Sequence, residues 1–215
     1  MPIVLVDNDI LAKCAIYSLM GEVVAALGVT THQVGVLGSA RFVLSPKRLK
    51  TAGDGQGNAY HRLTLFLQTV EAVEPNQTET ALAAELERVA IERNVQLDVG
   101  ESQLCAIALI RATKWLCTGD KRAIFAVEQL RTGIAKLKAL DGKFICLEAL
   151  VRALNHTHGH AFVRNRVCAS RGTDKTLEIC FQCHNTVAEI DEIDEGISSY
   201  LRALAVRAPH VPGTL

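Results

Sequence analysis

Residues 115–154, WLCTGDKRAIFAVEQLRTGIAKLKALDGKFICLEALVRAL, hold two short apolar runs that each lead into a helix-like segment. Trp115-Leu116-Cys117-Thr118 is predicted to be a strand, followed by a helix over 121–130. Phe144-Ile145-Cys146-Leu147 is predicted to be the next strand, followed by a helix over 148–154. Strands that alternate with helices predict parallel strands joined by right-handed crossovers.

The same alternation extends toward the N-terminus. Ile3-Val4-Leu5-Val6 is a continuous apolar run, typical of a strand buried on both faces. Val95-Gln96-Leu97 is a further strand candidate, before a helix over 101–112. Together these units predict an α/β fold over residues 1–154, with a central parallel sheet between two layers of helices.

The region between the first strand and residue 95 is predicted to be mostly helical. Helices are expected over 10–27, 32–49, 60–73 and 78–93. Residues 52–58 hold three glycines among polar residues, which predicts a loop.

Residues 155–215 are predicted to form a helical C-terminal extension, packed on the domain or on a second subunit as a homodimer. Its main feature is a helix expected over 186–206, with acidic residues largely on one side. Apolar residues recur on the other side at helical spacing and are expected to be buried: Val187, Ile190, Ile193, Ile197, Leu201 and Leu204.

The overall charge limits the kinds of partner. Lys plus Arg equals Asp plus Glu, at 23 each, so nucleic-acid binding through bulk positive charge is disfavoured and would need local patches. Two basic clusters are available, at 46–50 and at Arg164, Arg166, Arg171 and Lys175. No apolar run reaches the length of a membrane span, so no membrane association is expected.

The seven cysteines are an odd number, scattered along the chain. This favours free thiols in a reducing cytoplasm over a disulfide framework. Cys180 and Cys183 have the spacing of half a zinc site, which Cys168 or the histidines at 156, 158 and 160 would have to complete. Buried free thiols are the preferred interpretation, and Cys14, Cys105, Cys117 and Cys146 are predicted core residues.

Three carboxylates follow predicted strands. Asp7 follows the first strand, Asp120 follows the strand at 115–118, and Glu101 opens the helix after residue 97. Open α/β sheets bind ligands at the carboxyl ends of their strands, so these acids should share one edge. Each acid also suits a helix cap, with Asp98 and Glu101 forming a capping box. A cluster of carboxylates needs a cation, and hard oxygen ligands favour Mg²⁺ or Mn²⁺.

Three short motifs occur in an order that resembles the PIN-domain superfamily. They are VLVDNDIL at 4–11, GESQLCAIA at 100–108 and LCTGD at 116–120. The resemblance covers about residues 1 to 150. It implies a metal-dependent endoribonuclease with Asp7, Glu101 and Asp120 as catalytic residues.

The resemblance also implies further roles. Asp9 would join Asp7, Glu101 and Asp120 as a metal ligand. Thr118 would sit beside these ligands as a substrate-binding residue. Separately from the resemblance, Lys121 and Arg122 directly follow Asp120 and are a further basic patch expected to contact RNA phosphates. Small PIN proteins are often toxins, so an antitoxin-like protein partner is also implied.

One position departs from the family pattern. PIN domains usually carry another Glu between the first strand and the acid after glycine, but residues 38–44 contain Arg41 and no acid. Glu22, Glu79 and Glu85 are the candidates to replace it. The alternative function is therefore a catalytically degenerate PIN-like module that binds RNA or a protein.

Overall fold

The computed structural model describes residues 2–47, 49 and 58–215. The predicted loop at 52–58 falls outside these residues except for Asn58, and so do Arg48 and Lys50 of the first basic cluster. The strands are β1 (Val4–Val6), β2 (Val34–Leu37), β3 (Glu71–Val73), β4 (Trp115–Thr118) and β5 (Phe144–Cys146).

The helices of the N-terminal part are α1 (Asn8–Tyr17), α2 (Met20–Ala26), α3 (Ala40–Val43), α4 (Asn58–Leu67), α5 (Gln77–Glu92), α6 (Val99–Ile110) and α7 (Lys121–Leu130). Those that follow β5 are α8 (Leu147–His158), α9 (His160–Ala169), α10 (Lys175–Cys180) and α11 (Ile190–Arg207). Short 3₁₀ helices lie at Thr31–Gln33 and Ala135–Leu140.

The described strands form one parallel sheet in the order β3-β2-β1-β4-β5. β1 is central, because Val4 pairs with Val34 of β2 on one side and with Trp115 of β4 on the other. All three residues of β1 are buried, as its continuous apolar run predicts. The predicted α/β class, with a central parallel sheet, is confirmed.

The helices pack in two groups around this sheet. α5 contacts α6 and α7, whereas α1 contacts α2, α4 and α9, and α8 contacts α2, α9 and α11. The buried apolar residues form one cluster that includes residues of the C-terminal helices, such as Val163 and Ile193. The predicted boundary between residues 154 and 155 falls inside α8.

Two predicted helices are wrong at their centres. The helix over 10–27 is interrupted, because Ser18 has a φ of 57° and its N–H bonds to the carbonyls of Ala15 and Cys14, which ends α1. The helix over 32–49 contains β2, whose Val34 and Val36 are buried in the sheet. β-branched residues pack well on a pleated surface, and the free edge of β1 outweighs the local helical pattern.

Two shorter segments also differ from prediction. The helix over 60–73 ends at Leu67, and the chain then forms β3 alongside β2. Val95-Gln96-Leu97 is not a strand. Gln96 is exposed, and residues 95–97 line a surface cavity. A run of three residues that includes one polar side chain was too short to predict a strand.

The tail prediction is correct for the later part of its apolar stripe. Ile193, Ile197 and Leu204 of α11 are buried and Leu201 is partly buried. Val187 and Ile190 are 70% and 55% exposed, so the prediction that they are buried is wrong. α11 begins only at Ile190, and the stripe meets the core one turn later.

A disulfide joins Cys168 to Cys183, which corrects the prediction that the cysteines are all free. It brings the end of α9 beside the turn after α10, a proximity that sequence spacing does not reveal. Both sulfurs are used by this bond, so neither is available as a thiolate ligand for zinc. Because of this bond, the cysteines no longer support the argument that unpaired thiols indicate a reducing compartment.

The other cysteines, all within the described residues, are free and buried, as predicted for Cys14, Cys105, Cys117 and Cys146. Cys180 is also a buried free thiol. Burial raises the pKa of Cys14 and of Cys146 to about 12, so these thiols stay protonated and behave as apolar core groups. None of the described helices is long and apolar enough to cross a membrane.

Candidate metal centre at the carboxyl edge of the sheet

An acidic cavity lies where β1 and β4 end. Its volume is about 390 Å³, and carboxylates from separate turns line it: Asp7, Asp9, Asp98, Glu101 and Asp120. β1 and β4 are parallel neighbours, so their carboxyl ends deliver Asp7 and Asp120 to the same edge. The predicted convergence of Asp7, Glu101 and Asp120 on one cavity is present in the structure.

Asp7 is the most deeply placed of these acids, with 8% of its surface exposed. It is the N-cap of α1, and its Oδ1 accepts a hydrogen bond of 2.8 Å from the N–H of Ile10. Thr118 donates its hydroxyl hydrogen to Oδ2. Burial raises the pKa of Asp7 to about 7, although both hydrogen bonds lower it.

Glu101 lies in the first turn of α6, in the predicted capping box. Its Oε2 accepts from the N–H of Asp98 at 2.9 Å, and its own N–H donates to Oδ1 of Asp98 at 2.8 Å. Burial, together with the charges of Asp98, Asp120 and Asp7, raises the pKa of Glu101 to about 7, although the hydrogen bond from the N–H of Asp98 lowers it. A helix cap and membership of the acidic cavity are thus compatible roles for one residue.

Asp120 differs from the other two acids because a cation already contacts it. It is the N-cap of α7, accepting from the N–H of Arg122 at 2.8 Å. The guanidinium of Arg122 also donates to both of its carboxylate oxygens. These hydrogen bonds hold the pKa of Asp120 below its usual value.

Asp9 reaches the cavity from the first turn of α1. Its Oδ2 lies 2.6 Å from Nζ of Lys13, which also lies 2.8 Å from Asp174. A Cβ at Gly119 would lie 1.8 Å from Oδ2 of Asp9, so any other residue at this position would force the Asp9 side chain to move. Lys13 and Asp174 are site neighbours that sequence reasoning missed, since α10 approaches α1 only in the folded chain.

The residues predicted to contact RNA are placed differently from one another. Thr118 is buried, donates to Asp7 and accepts from the N–H of Asp120 at 3.1 Å, so it holds these two acids in place and does not line the acidic cavity. Lys121 pairs with the buried carboxylate of Glu148, away from the cavity walls. Arg122, with 70% of its side chain exposed, is the predicted contact that stands at the rim.

No candidate for the missing middle acid lines the cavity within the described residues. Glu79 is fully buried and paired with Arg111 at 2.7 Å, while Glu22 lies in α2 and Glu85 lines a different groove. The cavity wall near residues 38–44, where the missing acid was sought, is apolar and consists of Leu37, Val43 and Leu44.

Two arginines of the predicted basic cluster after residue 160, Arg164 and Arg171, have structural contacts. Arg164 donates to the carbonyls of Phe181, Gln182 and Asn185, and Arg171 donates to that of Cys183. These bonds hold the turn that carries the disulfide. Their guanidiniums are therefore engaged within the chain and not displayed as a phosphate-binding surface.

The carboxylate oxygens of the cavity suit a hard cation, but the carboxylates are widely spaced. Among the described residues, no group of three or more His, Cys, Asp or Glu side chains is close enough to hold one ion. Mg²⁺ commonly keeps several waters and uses only one or two carboxylates, which this spacing permits. Asp7 and Glu101 are the best suited, because burial disfavours their ionised forms and raises the pKa of each to about 7, and a bound cation would offset this cost.

A second cavity of about 330 Å³ adjoins the first at Glu101 and Asp120. It is lined by residues 95–97 and by Arg122, and it shares Asp98, Glu101 and Asp120 with the first. The carboxylates therefore form a ridge between two adjoining hollows. A ligand longer than one hollow can cross the acids.

Comparisons with protein-family models, with curated proteins and with solved structures found no match to this chain. The fold and the acidic cavity therefore stand on the geometry of the chain itself.

Proposed function

We propose that this protein is an Mg²⁺- or Mn²⁺-dependent endoribonuclease of the PIN type, hydrolysing RNA phosphodiesters at the acidic cavity. The observation that carries the proposal is the pair of carboxyls at Asp7 and Glu101, from separate elements, whose pKa values are both raised to about 7 in one cavity. Carboxyls whose pKa values are strongly raised inside a cavity are typical of functional sites. A divalent cation is the ligand that would stabilise their ionised forms.

Each side chain then has a definite task. Asp7 and Glu101 would hold the ion, with Asp9 and Asp120 beside them. When bound, the ion would activate a water molecule and stabilise the charge that develops on the phosphodiester. Thr118 fixes the orientation of Asp7 through its hydroxyl. The guanidinium of Arg122 would leave Asp120 and bind a phosphate oxygen of the substrate. Both contacts are charge-assisted hydrogen bonds.

The second candidate function is a catalytically degenerate module that binds RNA or a protein. Two observations favour it: Arg122 already neutralises Asp120, and the wall at Leu37, Val43 and Leu44 offers no acid. A homodimer through the apolar stripe of α11 is not part of either proposal, because Ile193 and Ile197 are buried within the chain itself. An antitoxin-like partner remains an implication of the family resemblance alone.

Cleavage of labelled RNA tests the leading proposal. Protein stoichiometric with RNA is incubated with Mg²⁺, with Mn²⁺ or with EDTA, using the parent, Asp7→Asn and Glu101→Gln. Asp191→Asn, which changes an exposed acid on α11, is the matched control. We expect metal-dependent cleavage that both cavity variants lose and the control keeps.

Calorimetric titration with Mn²⁺ separates the two candidates. Binding that disappears in Asp7→Asn supports the nuclease. Absence of binding by the parent, together with no cleavage under any metal, overturns it and leaves the non-catalytic module. Binding should also release protons near pH 7, because both carboxyls are part-protonated there.

A further inference from the structure

α3 presents an exposed aromatic ring beside the acidic cavity. Phe42 is 74% exposed, which is unusual for so large an apolar side chain. The two residues that follow it, Val43 and Leu44, line the cavity. The ring therefore stands at the rim, within reach of a ligand that enters from that side.

A guanidinium accompanies this ring. The Cζ atom of Arg41 lies 4.7 Å from the centroid of Phe42, and Arg41 is itself exposed. Aromatic rings and guanidinium planes are the groups on which unpaired nucleobases stack. Arg41 also supplies a positive charge in a chain whose formal net charge is zero, where nucleic-acid binding depends on such local cations.

We propose that Phe42 and Arg41 form a base-stacking platform that positions single-stranded RNA across the acidic cavity. The inference rests on the proposed function, because it assigns two further substrate-contacting residues to that site. An unpaired strand fits because its bases are free to stack on the ring, whereas the bases of an A-form duplex are enclosed by their neighbours.

The shape of the site continues this path. From Phe42 a strand would pass the apolar wall at Val43 and Leu44 and then cross the ridge of Glu101 and Asp120. It would enter the second cavity, where the exposed guanidinium of Arg122 meets the next phosphate. The platform is next to the wall of the first cavity and Arg122 lines the second, so the strand would contact both cavities.

Fluorescence anisotropy with a labelled single-stranded RNA in EDTA measures this binding without cleavage. The variants are Phe42→Ala, Phe42→Trp and Arg41→Ala. Ile91→Ala is the control, because Ile91 is 80% exposed on α5, which does not line the cavity. We expect Phe42→Ala to weaken binding about tenfold, the scale of one lost base stack. Phe42→Trp should bind at least as tightly as the parent, and Ile91→Ala should match it.

An abasic oligonucleotide of equal length and charge distinguishes stacking from electrostatic attraction. It should bind the parent and Phe42→Ala equally, whereas Arg41→Ala should weaken its binding. Equal binding of intact RNA by the parent and Phe42→Ala would overturn the platform, and would leave Phe42 as a surface for a protein. A loss of RNA binding in Ile91→Ala equal to that in Phe42→Ala would also overturn the platform.

The two proposals fail in distinguishable ways. Phe42-dependent binding without cleavage in Mn²⁺ supports the platform and overturns the nuclease. Cleavage that is unaffected by Phe42→Ala, with unchanged RNA affinity, overturns the platform and leaves the nuclease standing. No binding of single-stranded RNA by the parent overturns the platform as well.

Discussion

Thr118 donates its hydroxyl hydrogen to Asp7, a residue 111 positions earlier in the chain. This bond links the carboxyl end of β4 to that of β1, and it stabilises the ionised form of a carboxylate that burial otherwise disfavours. The position of Asp7 therefore reflects two opposing demands. The fold needs a helix cap there, and a buried charge at the same place costs stability.

Asp7→Asn should raise the free energy of unfolding at neutral pH in the absence of metal. The folded-state pKa of Asp7 is raised from 3.8 to about 7, so its stabilising contribution is present below pH 4 and is lost as the pH rises to about 7. The gain from Asp7→Asn should therefore grow across this window, with an upper bound on the order of 4 kcal/mol. Urea unfolding in EDTA at several pH values measures it.

Asp120→Asn is the matched control for this experiment. Arg122 lowers the pKa of Asp120, so its contribution has the opposite sign and is lost as the pH falls. We expect no gain in stability at neutral pH from this variant. A gain equal to that of Asp7→Asn would mean that general repulsion among the acids, and not the burial of Asp7, sets the cost.

Arg122→Ala should increase the affinity of the cavity for Mn²⁺ several-fold. The guanidinium competes with any cation for both oxygens of Asp120, and its removal leaves that carboxylate free. Arg88→Ala is the control, since it removes an equally exposed arginine from an ion pair on α5. Both arginines are exposed to solvent, so removing either ion pair should change the stability of the fold little. Titration calorimetry would contradict the prediction if Arg122→Ala bound Mn²⁺ more weakly than the parent.

Ile193→Asp should destabilise the protein by about 3 kcal/mol or more, because it places a charge where the native side chain is buried. Ile193 is 1% exposed, whereas Ile190, three residues before it on α11, is 55% exposed. Ile190→Asp should therefore remain within about 0.5 kcal/mol of the parent. Thermal or urea unfolding of both variants compares them directly, and similar losses would show that the whole stripe is covered.

Reduction of the disulfide between Cys168 and Cys183 should lower the free energy of unfolding. The bond closes a separation of 15 residues, for which the loss of chain entropy predicts about 3 kcal/mol. Alkylation of the unfolded, unreduced protein followed by mass spectrometry checks the pairing. Labels should appear on Cys14, Cys105, Cys117, Cys146 and Cys180, and not on the bonded pair. Labelling of all the cysteines would disprove it.

The sequence could predict the acids of the site because each belongs to a strong local pattern. Asp7 follows a continuous apolar strand, and Asp98 with Glu101 forms a capping box that the structure contains. Parallel strands bring such turns to one edge, so convergence followed from topology. The core positions of Cys14 and Cys117 were readable for the same reason, from their apolar neighbours.

Other features depend on partners that are remote in sequence. β2 is a strand because β1 has an open edge beside it, although glycines and a nearby helical pattern obscure it. Lys13 reaches Asp174, and Arg164 reaches the turn at 181–185, only after α9 and α10 fold back on α1. The engagement of Asp120 by Arg122 is local, but rotamer choice decides it and composition does not show it.

The central position of β1 has a consequence for synthesis of the chain. β1 pairs with β4, so a nascent polypeptide that has not yet extended past Thr118 lacks the strand beside β1 and the hydroxyl bound to Asp7. Domains fold during translation as their segments emerge. The acidic cavity can therefore assemble only after more than half of the polypeptide has been made, and until then β1 can pair with β2 on one edge but has no partner for the backbone groups of its other edge.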